Sequence, residues 1–187
     1  MSRPTTLTYQ EGPLDTIVGN LRPIEVLEEA HAAVGRISRG EIEGCERSGT
    51  FRFEPATGTP TQIGVRRMTA RTILGRLLRP SYTVTHGAHR WDLKELPGEN
   101  LLYFAVDGVV AGRRLTARED WDGSVEVVAR NASGVDKKEV ARFSPGDMLT
   151  RTTVRVHEAQ FDAPDPRETA LFGVLVLLPF LYRMHRQ

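Results

Sequence analysis

Ala170-Leu171-Phe172-Gly173-Val174-Leu175-Val176-Leu177-Leu178-Pro179-Phe180-Leu181-Tyr182 is a run of thirteen residues without a charge or a side-chain amide. Just before it, Asp165-Pro166-Arg167-Glu168 places a capping residue, a proline at the first helical position and a glutamate three residues after the cap, the grammar of a helix start. Wound at 100° per residue, the apolar side chains point in every direction, so the predicted helix has no polar face. A helix that is apolar all round must be buried all round. Burying a large apolar side chain is worth about 1.5–3 kcal/mol. The nine from Leu171 to Leu181 together exceed the net stability of an ordinary domain, so this helix is no appendage.

Two environments bury such a helix. A bilayer span needs about 20 apolar residues, whereas a run of about 10–14 belongs more often in a protein core. Pro179 interrupts this run, and Arg183, His185 and Arg186 follow it closely. The core reading is preferred, with a tail-anchored membrane protein as the rival. A core helix of this kind requires a container that contacts it from all sides, and a closed antiparallel sheet does so while removing its own edges.

The rest of the chain fits such a container. Gly, Pro, Asp and Asn recur at short intervals, and the runs between them are too short for long helices. Asp107-Gly108 and Asp122-Gly123 are the clearest tight-turn signals. Val125, Val127 and Ala129 fall on one face, and Thr152, Val154 and Val156 oppose Arg151, Thr153, Arg155 and His157. The region 24–39 fits either a short helix or a strand pair, and we read it as the pair. A Gly-Arg dipeptide between apolar residues recurs at Gly35-Arg36, Gly75-Arg76 and Gly112-Arg113, which suggests repeated hairpins of one sheet. The fold class is therefore all-β with a central helix: a closed antiparallel β-barrel of about twelve strands around a hydrophobic C-terminal α-helix. The helix is placed near 166–184 of a single domain spanning 20–187, with 1–19 as a separate N-terminal segment.

Composition narrows the function. Hydrophobic residues make up 40% of the 187 and charged residues 26%, which excludes a disordered chain. The net charge of +1 gives no global field to recruit nucleic acid. Cys45, the sole cysteine, has no partner for a disulfide and no zinc-ligand spacing around it. The first twenty residues hold no apolar run of signal-peptide length. The expectation is a cytoplasmic protein.

Residues 161–174, with Phe161-Asp162-Ala163-Pro164-Asp165 leading into Ala170-Leu171-Phe172-Gly173-Val174, resemble the C-terminal segment of phospholipid scramblase-like and LURP-one-related proteins, which share the tubby C-terminal fold. Gly75-Arg76-Leu77-Leu78-Arg79-Pro80-Ser81-Tyr82-Thr83-Val84 is similar to that family's recurrent hairpin strand. The resemblance covers residues 20–187 and implies a barrel around a hydrophobic central helix, in agreement with the burial argument. It also implies contact with phosphoinositides, as in tubby proteins, or with calcium and lipid, as in scramblases. The chain departs from scramblases in carrying no cysteine cluster and no Pro-rich N-terminal arm. It also has Leu178-Pro179 where those proteins tend to carry an acidic residue.

The candidate binding residues come from charge. From Pro55 to Trp91 there is no Asp or Glu but there are six arginines: Arg66, Arg67, Arg71, Arg76, Arg79 and Arg90. Guanidinium forks suit phosphate, so Arg66, Arg67, Arg71, Arg76 and Arg79 are the candidates for an anionic ligand such as a phospholipid headgroup or phosphoinositide. Arginine supplies 22 of the 25 basic residues overall, so a merely solvated face explains the same cluster. Nucleic acid is the weakest partner, because few aromatics interleave with these arginines.

Other constellations are poorer. Asp162, Asp165 and Glu168 sit near the helix start, but calcium takes six to eight oxygens and capping already explains Asp165 and Glu168. His86 and His89 form an H-x-x-H with Asp92 nearby in what reads as a turn, which is not a zinc set. Trp91 and Trp121 are expected as core or rim anchors. No strained serine elbow, phosphate-cradling glycine loop or paired nucleophile and base is evident. The expectation is a non-catalytic binding or scaffold module without a cofactor or metal, its partners an anionic phospholipid at a membrane surface or another protein. The rival is a carrier barrel with an internal ligand cavity.

Overall fold

The computed structural model describes residues 5–10, 23–29, 32–66, 80–96, 103–130, 137–145, 151–156 and 166–186. Twelve strands precede one helix: β1 (Thr5–Gln10), β2 (Ile24–Glu28), β3 (Ala33–Arg39), β4 (Cys45–Pro55), β5 (Thr61–Arg66), β6 (Ser81–His86), β7 (His89–Glu95), β8 (Ala105–Val110), β9 (Arg113–Glu119), β10 (Val125–Arg130), β11 (Lys137–Pro145), β12 (Arg151–Val156) and α1 (Pro166–Arg186). Every strand pairs antiparallel with its neighbour in sequence, and β1 pairs with β12 as well as with β2, so the ladder returns to its start as a closed barrel. The register of that closing pair runs from Thr5 opposite Val156 to Gln10 opposite Arg151.

Period-two patterning decides which face each strand turns inward. Ile24 and Val26, Thr61 and Ile63, Leu115 and Ala117, and Val125 and Val127 are buried, while Glu25, Arg114 and Arg118 are exposed. The inward residues form one hydrophobic cluster with α1. Every residue from Ala170 to Tyr182 is buried. Phe180 packs on Tyr9 and Phe51, with ring centroids 5.9 and 5.1 Å away, and Phe172 packs on Phe53 at 5.9 Å. Tyr182 meets Phe104 and Phe143 edge-on at 5.6 and 6.1 Å. The helix thus enters beside the β6–β7 turn and reaches the opposite rim.

Two details show how the helix is fitted. A Cβ at Gly173 would overlap the Thr61 hydroxyl on β5, so this position lets the helix lie directly on the wall. Pro179 has no N–H to donate, which takes the i+4 donor from the Leu175 carbonyl about two turns from the helix's end. The Tyr9 hydroxyl donates to the carbonyl of the next residue, Val176, at 2.7 Å, so a wall side chain bonds the helix backbone directly.

The structure corrects the sequence reading at several points. The strand pair expected in 24–39 is present as β2 and β3. The turn expected at Asp107-Gly108 is not there: both residues lie within β8, and the chain reverses at Ala111-Gly112, with φ of 54° and 81°. Gly108 serves close packing, since a Cβ there would stand 2.6 Å from the Asp92 carbonyl oxygen. The Gly-Arg echo dissolves in the same way. Gly112 makes a turn, Gly35 lies mid-strand where a Cβ would strike the Glu54 carbonyl, and Gly75 lies outside the described residues. The domain also starts before residue 20: β1 falls within the segment set apart as 1–19, and its Leu7 and Tyr9 are fully buried. Trp121 is no core anchor but lies 85% exposed at the β9–β10 turn.

Candidate functional site

Of the five candidate arginines, Arg66 alone is described; Arg67, Arg71, Arg76 and Arg79 lie outside the described residues. Arg66 closes β5 on its outer face, half-exposed. Its Nη2 is 2.7 Å from Asp92 Oδ2 and its Nε donates to Thr83 Oγ1 at 3.2 Å. The pairing follows from register, because Thr83 faces Gly64 on one side and Asp92 on the other. An anion arriving at Arg66 must compete with Asp92. Such an exposed pair is worth at most about 1 kcal/mol, so the competition is an easy one.

Cys45 opens β4 opposite Arg66 and is buried, its side chain lying against Gly64 of β5. Burial pushes its thiol up, with the Thr83 hydrogen bond and the charges of Arg90 and Arg66 acting the other way. The thiol therefore stays protonated and unreactive at neutral pH.

Polar groups inside the sheet gather at its two ends. Where α1 enters, His86 Nδ1 lies 2.9 Å from the Thr61 hydroxyl and Nε2 lies 3.4 Å from that of Thr169 on the first turn of the helix. Burial, and then the charge of His89, hold the His86 imidazole below its ordinary range. His89 is exposed and stacks on Trp91, so the two histidines do not converge on one point. At the far end the Tyr82 hydroxyl donates to the Glu95 carboxylate, and the Tyr182 hydroxyl to Glu119 Oε1 at 3.0 Å. Burial, reinforced by Glu95, pushes the Tyr82 phenol far above its usual range and keeps it a donor. These groups tie the helix and its surroundings to the wall.

Asp162 and Asp165 lie outside the described residues, and Glu168 stands 4.0 Å from the Arg113 guanidinium. Among the described residues no three His, Cys, Asp or Glu side chains gather closely enough to hold a metal ion. No helix there is long and apolar enough to cross a membrane.

The sequence reading missed a groove of about 620 Å³ on the outer wall over β2, β3 and β4, bounded by Pro23, Pro55 and Pro60. Glu54 stands on its wall between two guanidinium groups, 2.7 Å from Arg36 Nε and 2.9 Å from Arg52 Nε. The Arg36 hydrogen bond, aided by Arg52 and set against some desolvation, holds the Glu54 carboxyl below its usual range. Arg36 and Glu54 are 18 positions apart and meet only because β3 and β4 place them opposite each other. Spacing within the sequence carries no such signal.

No family model matches the chain, and no curated protein matches it. Among solved structures, the X-ray structure of a protein from Arabidopsis thaliana aligns over 94% of this chain and 89% of that one, with 13% identity and a TM-score of 0.47.

Proposed function

We propose that the protein is a non-catalytic binding or scaffold module of the tubby and scramblase-like type, meeting anionic phospholipid or phosphoinositide through Arg66 and the arginines that follow it in the sequence. The observation that supports this reading most is the place of α1. Its Leu171, Phe172, Val174 and Leu175 share one cluster with the inward wall residues, and a filled interior turns binding to the outer wall and the rims. A carrier with an internal cavity would need that space empty, and a tail anchor would need the same apolar surface in lipid. The acid-free stretch from Pro55 to Trp91, with Arg66 at the end of β5, supplies the basic character.

The test is co-sedimentation with vesicles of phosphatidylcholine alone and of phosphatidylcholine with an anionic lipid. The same assay is run on a variant carrying Arg66→Glu, Arg67→Glu, Arg76→Glu and Arg79→Glu. Pelleting with anionic vesicles only, weakened by salt and lost in the variant, is the expected result. Equal binding to both vesicles, or none, removes the proposal.

A further inference from the structure

The outer face of β8 to β11 sorts its charges by position. Most of them cancel in pairs. Asp107 pairs with Arg114 at 2.8 Å, Arg118 stands opposite Glu126 in the ladder, and Arg142 lies 2.9 Å from Glu139 and 3.5 Å from Glu126. What is left over lies at the two ends. The β9–β10 turn carries Asp120 and Asp122, both exposed, while Arg130 at the end of β10 stands opposite Lys137 of β11, both also exposed. Neither Arg130 nor Lys137 has an ion-pair partner among the described residues. At about 3.4 Å per residue, roughly 20 Å separates the two ends.

Two exposed large apolar side chains, Val109 on β8 and Trp121 in the β9–β10 turn, belong to this part of the sheet. Trp121 is 85% exposed at the acidic end, and Val109, 52% exposed, stands opposite Arg114 near the basic end. The turn that presents Trp121 is firmly built. Its N–H bonds Asp120 Oδ1 at 2.7 Å, the Ser124 N–H bonds Asp122 Oδ1 at 2.8 Å, and Asp120 and Ser124 close the hairpin at 2.7 Å. The backbone that carries the ring therefore loses little freedom on contact.

We propose that this face is where two copies of the chain pair, antiparallel about a two-fold axis through the middle of the face. Charge complementarity selects the occupant. A two-fold axis brings the Asp120/Asp122 end of each copy onto the Arg130/Lys137 end of the other, twice over and with no further adjustment. The same operation carries each Trp121 over the partner's cations, a favourable arrangement for a ring face. Four strands are about 15 Å across, so the contact is small and the dimer is a weak, concentration-dependent one. The inference is independent of the lipid reading, which rests on other residues.

Sedimentation velocity of the full chain, from micromolar to near-millimolar concentration, tests it. The wild type is expected to pass from monomer to dimer and to weaken roughly tenfold or more between ~0.05 and ~0.5 M salt, and Trp121→Ala is expected to weaken it further. The decisive arm uses two variants, Asp120→Lys with Asp122→Lys, and Arg130→Glu with Lys137→Glu. Each alone should stay monomeric, having like charge at both ends, and an equimolar mixture should form a heterodimer. Pairing in the mixture also shows that both variants are folded. A wild type that stays monomeric throughout, a dimer indifferent to both charge reversals, or two well-folded variants by circular dichroism that fail to pair on mixing would each overturn the proposal.

Discussion

Gly173 is the residue on which the seating of the helix turns. Adding a methyl group there drives it into Thr61, and overpacking of a tight core costs about 1–3 kcal/mol. Gly173→Ala should lower stability by that amount in urea unfolding; an unchanged midpoint would mean that the helix does not touch β5 there. Ala111 offers the opposite case. Its φ of 54° is one that L side chains adopt at a cost, so Ala111→Gly should be neutral or stabilising by up to about 1 kcal/mol, as thermal melts would show. For His86 the sign follows from burial. The folded state takes up the proton less readily than the unfolded chain, so His86 adds no pH dependence above about 6.5 and stability falls as the pH drops from there toward the folded-state midpoint. An NMR titration of His86 should give a midpoint below that ordinary value, and one at or above it contradicts the placement of the imidazole beside Thr61 and Thr169.

At the scale of elements, the helix was the most legible part of the chain, and for a physical reason. Thirteen residues with no polar side to present to water leave little choice of environment, and the Asp165-Pro166 signal placed the start at Pro166. The hairpins were harder. Asp122-Gly123 is a turn because Gly123 needs positive φ, whereas Gly108 is a glycine because β7 passes close to it. The same dipeptide grammar serves both purposes, and only the partner strand tells them apart. The bond from β1 to the helix backbone makes its own prediction. Tyr9→Phe removes the wall donor to the Val176 carbonyl and should cost about 0.5–1.5 kcal/mol, read by chemical denaturation. A loss below a few tenths of a kcal/mol would show that the helix backbone is satisfied without β1.

For the molecule as a whole, the sequence conveyed a sheet wrapped around its own tail because burial is a sum over the chain. Surface function is not such a sum. Arg36 and Glu54, or Arg130 and Lys137, become neighbours only through strand register, and their spacing along the chain says nothing of it. The candidate arginines found by composition were legible as a charge anomaly, and Arg66 among them proves to be held by Asp92. The central claim remains that α1 is the core of the sheet, and hydrogen exchange tests it most directly. Amides from Leu171 to Leu178 are expected to exchange only through global unfolding, with an opening free energy equal to that of the whole protein measured by denaturant. Exchange of these amides at a markedly lower free energy, while the strands stay protected, would show that the helix leaves without unfolding the sheet and would contradict the account.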